Sequence, residues 1–257
     1  MKKIFLFVLL FITATTYAQK DSIPSGVYSF NKAKPEKTAT GERRLIVQGT
    51  SLDLASLNVH TSTLAPGLTN HPPVAYDDRE ELLVIKEGTL TVMLNDSIKN
   101  LEPGSVALME AGVRQSFKNE TNSPVTYFIL TFKSRPGIDL QRGKTGGGSI
   151  TRNWNALTVV KTDKGESRPM FIKPSAMFAK FDMHATALNP GFASHPPHTH
   201  RNEEIILMLK GKAESFIDGK KYAVEAGDIV FTASNATHNI TNTGTEQCGY
   251  FAIQWSN

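Results

Sequence analysis

A chain of 257 residues, 40% hydrophobic and 20% charged, is long enough to bury one large core or two modest ones. Its formal charge of +4 comes from 28 basic against 24 acidic residues, and becomes 26 against 24 once residues 1–18, which carry Lys2 and Lys3, are set aside. So even a balance argues against nucleic acid or a membrane surface as partner, and a single cysteine, Cys248, rules out an intrachain disulfide.

In chain order, Lys2 and Lys3 precede an unbroken apolar run over residues 4–12, and Thr16-Tyr17-Ala18 stands before Gln19. This pattern predicts a secretory signal peptide over residues 1–18, too short for a membrane anchor, and hence a periplasmic or secreted protein. Residues 19–43, polar and containing Pro24 and Pro35, read as an N-terminal arm that packs on a neighbouring domain or stays partly disordered. Arg43-Arg44 and Lys220-Lys221 read as solvated surface. Cys248, beside the strand-like ending Tyr250-Phe251-Ala252, reads as an inert thiol.

An internal repeat sets the domain organisation. The stretch from Leu57 through His60 to Gly67 aligns with that from Phe181 through His184 to Gly191, and His71-Pro72-Pro73 aligns with His195-Pro196-Pro197. Gly104, Asn119 and Tyr127-Phe128 then align with Gly227, Asn242 and Tyr250-Phe251, one residue out of the earlier register. Each copy consists of short β-rich runs broken by Gly, Pro and Asn, with few stretches at helical spacing. The expectation is an all-β protein of two tandem barrels or jelly rolls, over residues 44–133 and 153–257. Residues 134–152, with Gly146-Gly147-Gly148, read as a flexible linker. Gly143-Lys144-Thr145 within it lacks the upstream glycine spacing and the strand-to-helix setting of a phosphate loop.

The second copy carries a motif that the first lacks. His198 and His200, two apart on an extended segment, project to the same side; Glu204 follows closely, and His238 comes from a later strand. Three imidazoles and a carboxylate suit a divalent transition metal. Six residues separate Glu204 from Gly211, Gly227-Asp228 forms a turn, and Asn242 stands at the fourth position after His238. This wording resembles the paired motifs of the cupin superfamily. Departures fall on turns: Gly191 is seven rather than six residues before His198, and Ala233 and Asn235 replace the usual Pro and Gly. The resemblance implies tandem cupin β-barrels, His198, His200, Glu204 and His238 as ligands of one metal, and dimerisation as a common arrangement.

Comparing the copies separates chemistry from scaffold. The first-copy counterparts of His198, His200 and His238 are Val74, Tyr76 and Gln115, while Glu81 keeps the carboxylate, so the first barrel is expected to bind no transition metal. His60 and His184 read as scaffold. His71 and His195, kept in both copies before Pro-Pro, read first as loop-fixing groups; the alternative makes His195 a catalytic proton donor or acceptor. Glu203 points opposite to Glu204 and reads as a rim or surface carboxylate. Phe216, Met208, Phe231, Tyr250, Gln254 and Trp255 are candidates to line the cavity, ordinary core being the competing role for each aromatic.

With one negative ligand, Mn or Fe comes first, and Ni, Zn or Cu also fits; open positions would take water or a small-molecule substrate with adjacent oxygens. The expected function is a metal-dependent enzyme, of dioxygenase or hydrolase/isomerase type, acting on a small oxygen-rich or aromatic molecule. The alternative is a non-catalytic metal-containing binding or storage protein. Bicupin oxalate decarboxylases carry the ligand set in both barrels, and ureidoglycine aminohydrolases share the one-metal plan but not the plain ligand set, so neither substrate is transferred.

Overall fold

The structure is a computed structural model and describes residues 22–257; the signal peptide expected over residues 1–18 lies outside them. The described chain is almost entirely β. One seven-stranded sheet runs, edge to edge, through Ile150–Arg152, Val106–Met109, Glu80–Glu87, Val125–Ser134, Leu54–Leu64, Gly41–Gly49 and Glu36–Thr38. A second of seven repeats it through Gly26–Tyr28, Ile229–Thr232, Glu203–Lys210, Cys248–Ser256, Lys180–Leu188, Gly165–Lys173 and Val160–Thr162. A small sheet closes each into a barrel: Val74–Ala75, Arg114–Lys118, Leu90–Leu94 and Ser97–Leu101 on the first, Lys220–Glu225, Lys212–Ile217 and His238–Asn242 on the second.

Side-chain alternation gives each large sheet two buried faces. Along Glu203–Lys210, Ile206 and Met208 enter the interior of the second barrel, whereas Ile205 and Leu207 join a core shared between the barrels. Phe132 of the first barrel and Phe181 and Trp255 of the second meet there at ring-centroid distances of 5.4 Å. This shared core corrects two expectations about the cavity. Phe231 and Trp255 lie on the inter-barrel face, not beside the histidines. Phe216 also faces away, because Ala213, Ser215 and Ile217 take the inward positions of its strand.

The barrels also exchange edges. Gly26–Tyr28, within the expected arm, pairs with Ile229–Phe231 of the second barrel, and Ile150–Arg152, within the expected linker, pairs with Val106–Leu108 of the first. Two glycines make the exchange possible. Gly227 (φ 94°) lies under the Phe30 ring and Gly104 (φ 84°) under the Trp154 indole, so close that an added Cβ would come within 3.0 Å and 2.7 Å of those rings. The residues before Ile150–Arg152 are ordered rather than loose: helix Leu140–Thr145 starts from an Asp139 cap that accepts the Arg142 N–H at 2.9 Å.

Polar clamps repeat the symmetry. Glu203, 1% exposed, is neither rim nor surface: it accepts the Ser51 hydroxyl at 2.6 Å and the Leu52 and Asp53 N–H groups at 3.0 and 3.2 Å. Its counterpart Glu80 accepts the Ser175 hydroxyl and the Met177 N–H, both at 2.8 Å. Each large sheet thus holds the opening loop of the other barrel. Burial pushes the Glu80 carboxyl up to about 7.

Candidate metal centre

In the second barrel, backbone pairing brings the two histidine segments together. His198 N–H donates to the His238 carbonyl at 3.2 Å and His238 N–H returns to the His198 carbonyl at 2.9 Å, an antiparallel bridge that puts both rings on one side. Asn235 takes the tight turn before His238 at φ 61°, a conformation asparagine tolerates; this is how it stands where a glycine is usual. Glu204, second in the strand Glu203–Lys210, has its side chain inward, opposite in direction to Glu203.

The three imidazoles offer ring nitrogens that all lie within 4.8 Å of one another. Every Nδ1 is engaged by a main-chain carbonyl: His198 with His238 at 3.2 Å, His200 with Asn202 at 2.8 Å, and His238 with Ala236 at 2.9 Å. An Nδ1–H donating to a carbonyl fixes the tautomer that leaves an Nε2 lone pair, as second-shell bonds do in metal sites. The Nε2 atoms of His200 and His238 are buried without a hydrogen-bond partner, and each stands 3.8 Å from a Glu204 oxygen. Buried polar atoms left bare are costly. These two, each beside a Glu204 oxygen and grouped with His198, fit a divalent ion.

Electrostatics follow the same geometry. The neighbouring Glu204 carboxylate raises His200 above the ordinary imidazole range, while burial lowers His238. Burial would raise Glu204, but His200, His238 and Gln254 outweigh it and hold the carboxyl below its usual range.

The first barrel keeps the scaffold without the ligands. Val74 and Gln115 occupy the paired positions of His198 and His238. Gln115 Nε2 donates to Glu81 at 2.7 Å and the Thr131 hydroxyl at 3.3 Å, so neutral donors engage both carboxylate oxygens.

A cavity of about 380 Å³ opens beside the histidines, lined among others by His195, His198, Glu204, His238, Tyr250 and Gln254. Of the six cavity candidates named from sequence, Tyr250 and Gln254 belong here; Met208 packs in the apolar interior. Burial raises the Tyr250 phenol. Thr186 and Ser194 also line the cavity and were missed; Thr186 shares strand parity with His184, the one signal that pointed to it.

His195 holds its own turn, Nδ1 3.0 Å from the Pro196 carbonyl, just as His71 Nδ1 stands 2.8 Å from the Pro72 carbonyl. That common bond supports the loop-fixing role. His195 nevertheless borders the cavity, its ring centroid 3.9 Å from that of His198, and burial lowers its basicity.

The family described as Cupin domain matches this chain at residues 60–131 and 185–254. The oxalate-binding protein of Thermotoga maritima is 29% identical over 116 residues, which are 43% of this chain and 96% of that protein. Among solved structures, the oxalate decarboxylase of Lactobacillus farciminis in its formate complex has a TM-score of 0.70 at 15% identity, covering 91% of this chain and 87% of its own. AerE from Microcystis aeruginosa has a TM-score of 0.66 at 20% identity, covering 88% and 97%. The structural likenesses show the two-barrel fold.

Proposed function

The chain belongs to the cupin family as a two-barrel member, and from that premise we propose that it is a periplasmic or secreted metal-dependent enzyme acting on a small, oxygen-rich molecule. His198, His200, Glu204 and His238 of the second barrel would hold one divalent transition metal, Mn or Fe first. The observation that carries this reading is the pair of buried, unpartnered Nε2 atoms on His200 and His238, facing Glu204. Bound there, the ion would supply Lewis-acid or redox chemistry to a chelating substrate.

The chain's own residues complete the chemistry. His195, beside His198 and lining the cavity, exchanges a proton with the substrate. Gln254, hydrogen-bonded to Glu204, orients that carboxylate. Tyr250, held protonated by burial, stays a neutral donor. The likeness to an oxalate-binding protein supports a small carboxylate among the ligands, and is the one observation that favours the second reading, a non-catalytic binder.

Protein loaded separately with Mn and Fe, assayed for oxygen uptake and product against oxalate, hydroxy acids, catechols and sugars, tests this reading. Turnover of one class is expected, falling about a hundredfold or more in His195→Gln with metal content unchanged. Saturable binding of an acid without turnover would establish the binder instead. Mature protein from the native host should begin near Gln19; full-length cytoplasmic protein would contradict secretion.

A further inference from the structure

The cavity of the first barrel is larger than that of the second, about 650 Å³ against about 380 Å³, although its metal-ligand positions are lost. Its lining contains Arg43, Arg79 and Lys133. The repeat places Ser167, Asn202 and Ser256 at those positions in the second barrel, Arg43 facing Ser62 as Ser167 faces Thr186. Cations have appeared where the site for a cation has gone.

Arg43, which the sequence placed on the solvated surface, is the informative one. It is half-buried in the cavity wall, and its side chain makes no hydrogen bond or ion pair among the described residues. Its cross-strand neighbour Glu36 is exposed and forms no ion pair with it, and Glu42 is taken by Arg44 at 2.9 Å. Arg79 stacks 4.1 Å over the Tyr76 ring, which stands in the position of His200, and shares Asp78 with Lys133. Two cations on one carboxylate leave a positive balance there as well. A half-buried guanidinium with no side-chain partner has its fork free, and a carboxylate meets that fork with two parallel bonds.

The rest of the wall is mostly polar, with Glu42 and Glu81 as its acidic groups and Leu64, Phe117 and Ile129 as its apolar ones. Asn58 Oδ1 stands 3.0 Å from His60 Nδ1, and burial with Arg43's charge lowers the His60 imidazole to about 4, leaving a neutral ring. With Nδ1–H donating to Asn58, Nε2 is a free acceptor for a hydroxyl. Glu81 receives Thr131 only at 3.3 Å and has lone pairs to spare. Arg43 and these acceptors, all lining the one cavity, define the complementary ligand.

We infer that the first barrel is a second, metal-independent binding site for a polyhydroxylated carboxylate, its carboxylate held by Arg43 and its hydroxyls by His60, Asn58 and Glu81. The volume is that of a typical small-molecule pocket.

Full-length His198→Ala/His238→Ala protein with chelator present confines binding to the first barrel. Titration calorimetry with D-gluconate and D-galacturonate should give one saturable site for at least one acid, with D-glucose at least about tenfold weaker. Arg43→Gln in that background should weaken the acid about tenfold or more at unchanged melting temperature. Absence of binding by both acids, equal binding of glucose, or full affinity in Arg43→Gln would overturn the inference. The same titration in the wild-type chain guards against a misfolded variant. An acid bound by wild type but not by folded His198→Ala/His238→Ala protein belongs to the second barrel, which removes this inference and leaves the proposed metal centre standing.

Discussion

At His200 and His238 one ring nitrogen is tied to a main-chain carbonyl and the other is buried bare, so each ring is oriented before any ligand arrives. Such preorganisation requires neutral imidazoles, and protons therefore compete with a metal. Glu204 raises His200 above its ordinary value, so protonation of that ring competes with the metal as pH falls. Equilibrium dialysis should show bound metal declining as pH drops through about 6.5 to 5.5; full occupancy at pH 5 would contradict histidine ligation. Glu80 offers a stability test of opposite character. Its folded pKa of about 7 lies above the ordinary 4.5, so the folded chain keeps a proton that the unfolded chain releases between those values. Stability then declines as pH rises from about 4.5 to 7, by roughly 3 kcal/mol from this group. Glu80→Gln should flatten that slope in urea denaturation across the window, and an unchanged slope would assign it elsewhere.

Among the elements, the exchanged edge strand Gly26–Tyr28 has the largest consequence relative to its length. It covers the edge of Ile229–Thr232, which would otherwise present unpaired main-chain groups. A chain starting after Tyr28 should melt several degrees lower and self-associate in sedimentation; equal melting and unchanged sedimentation would mean that the strand contributes little. This exchange was not legible in the sequence. Residues 19–43 and 134–152 carry no hydrophobic period strong enough to mark a strand, because an edge strand of three residues owes its conformation to its partner rather than to propensity. The ligand motif was legible, since His198 and His200 alternate with period two and Glu204 keeps its distance. The cavity lining was legible only in part. Tyr250 and Gln254 share inward parity, Phe231 and Trp255 do not, and parity across strands depends on a pairing register absent from a single sequence. Glu203 was misplaced for the related reason that nothing in a sequence says a sheet's outer face is covered by another barrel.

The molecule as a whole is two copies that cannot be parted without exposing a core. Buried Phe128, Leu130 and Phe132 from one copy pack with Phe178, Phe181 and Trp255 from the other, and each copy lends the other an edge strand and a loop for its carboxylate clamp. A fragment of residues 146–257, although it holds the whole metal motif, should therefore be insoluble or lack a cooperative melt; a soluble fragment with full metal affinity would show that the barrels are independent. Within the joined pair the duties differ: His198, His200, Glu204 and His238 converge in one barrel, while Glu81 of the other is occupied by Gln115 and Thr131. Metal stoichiometry tests that division most directly, by elemental analysis of the full-length chain, His238→Ala and Gln115→Ala purified alike. About one divalent ion per chain in the wild type and in Gln115→Ala, and almost none in folded His238→Ala, is the expected result. Two ions per wild-type chain, or metal kept by His238→Ala, would contradict it.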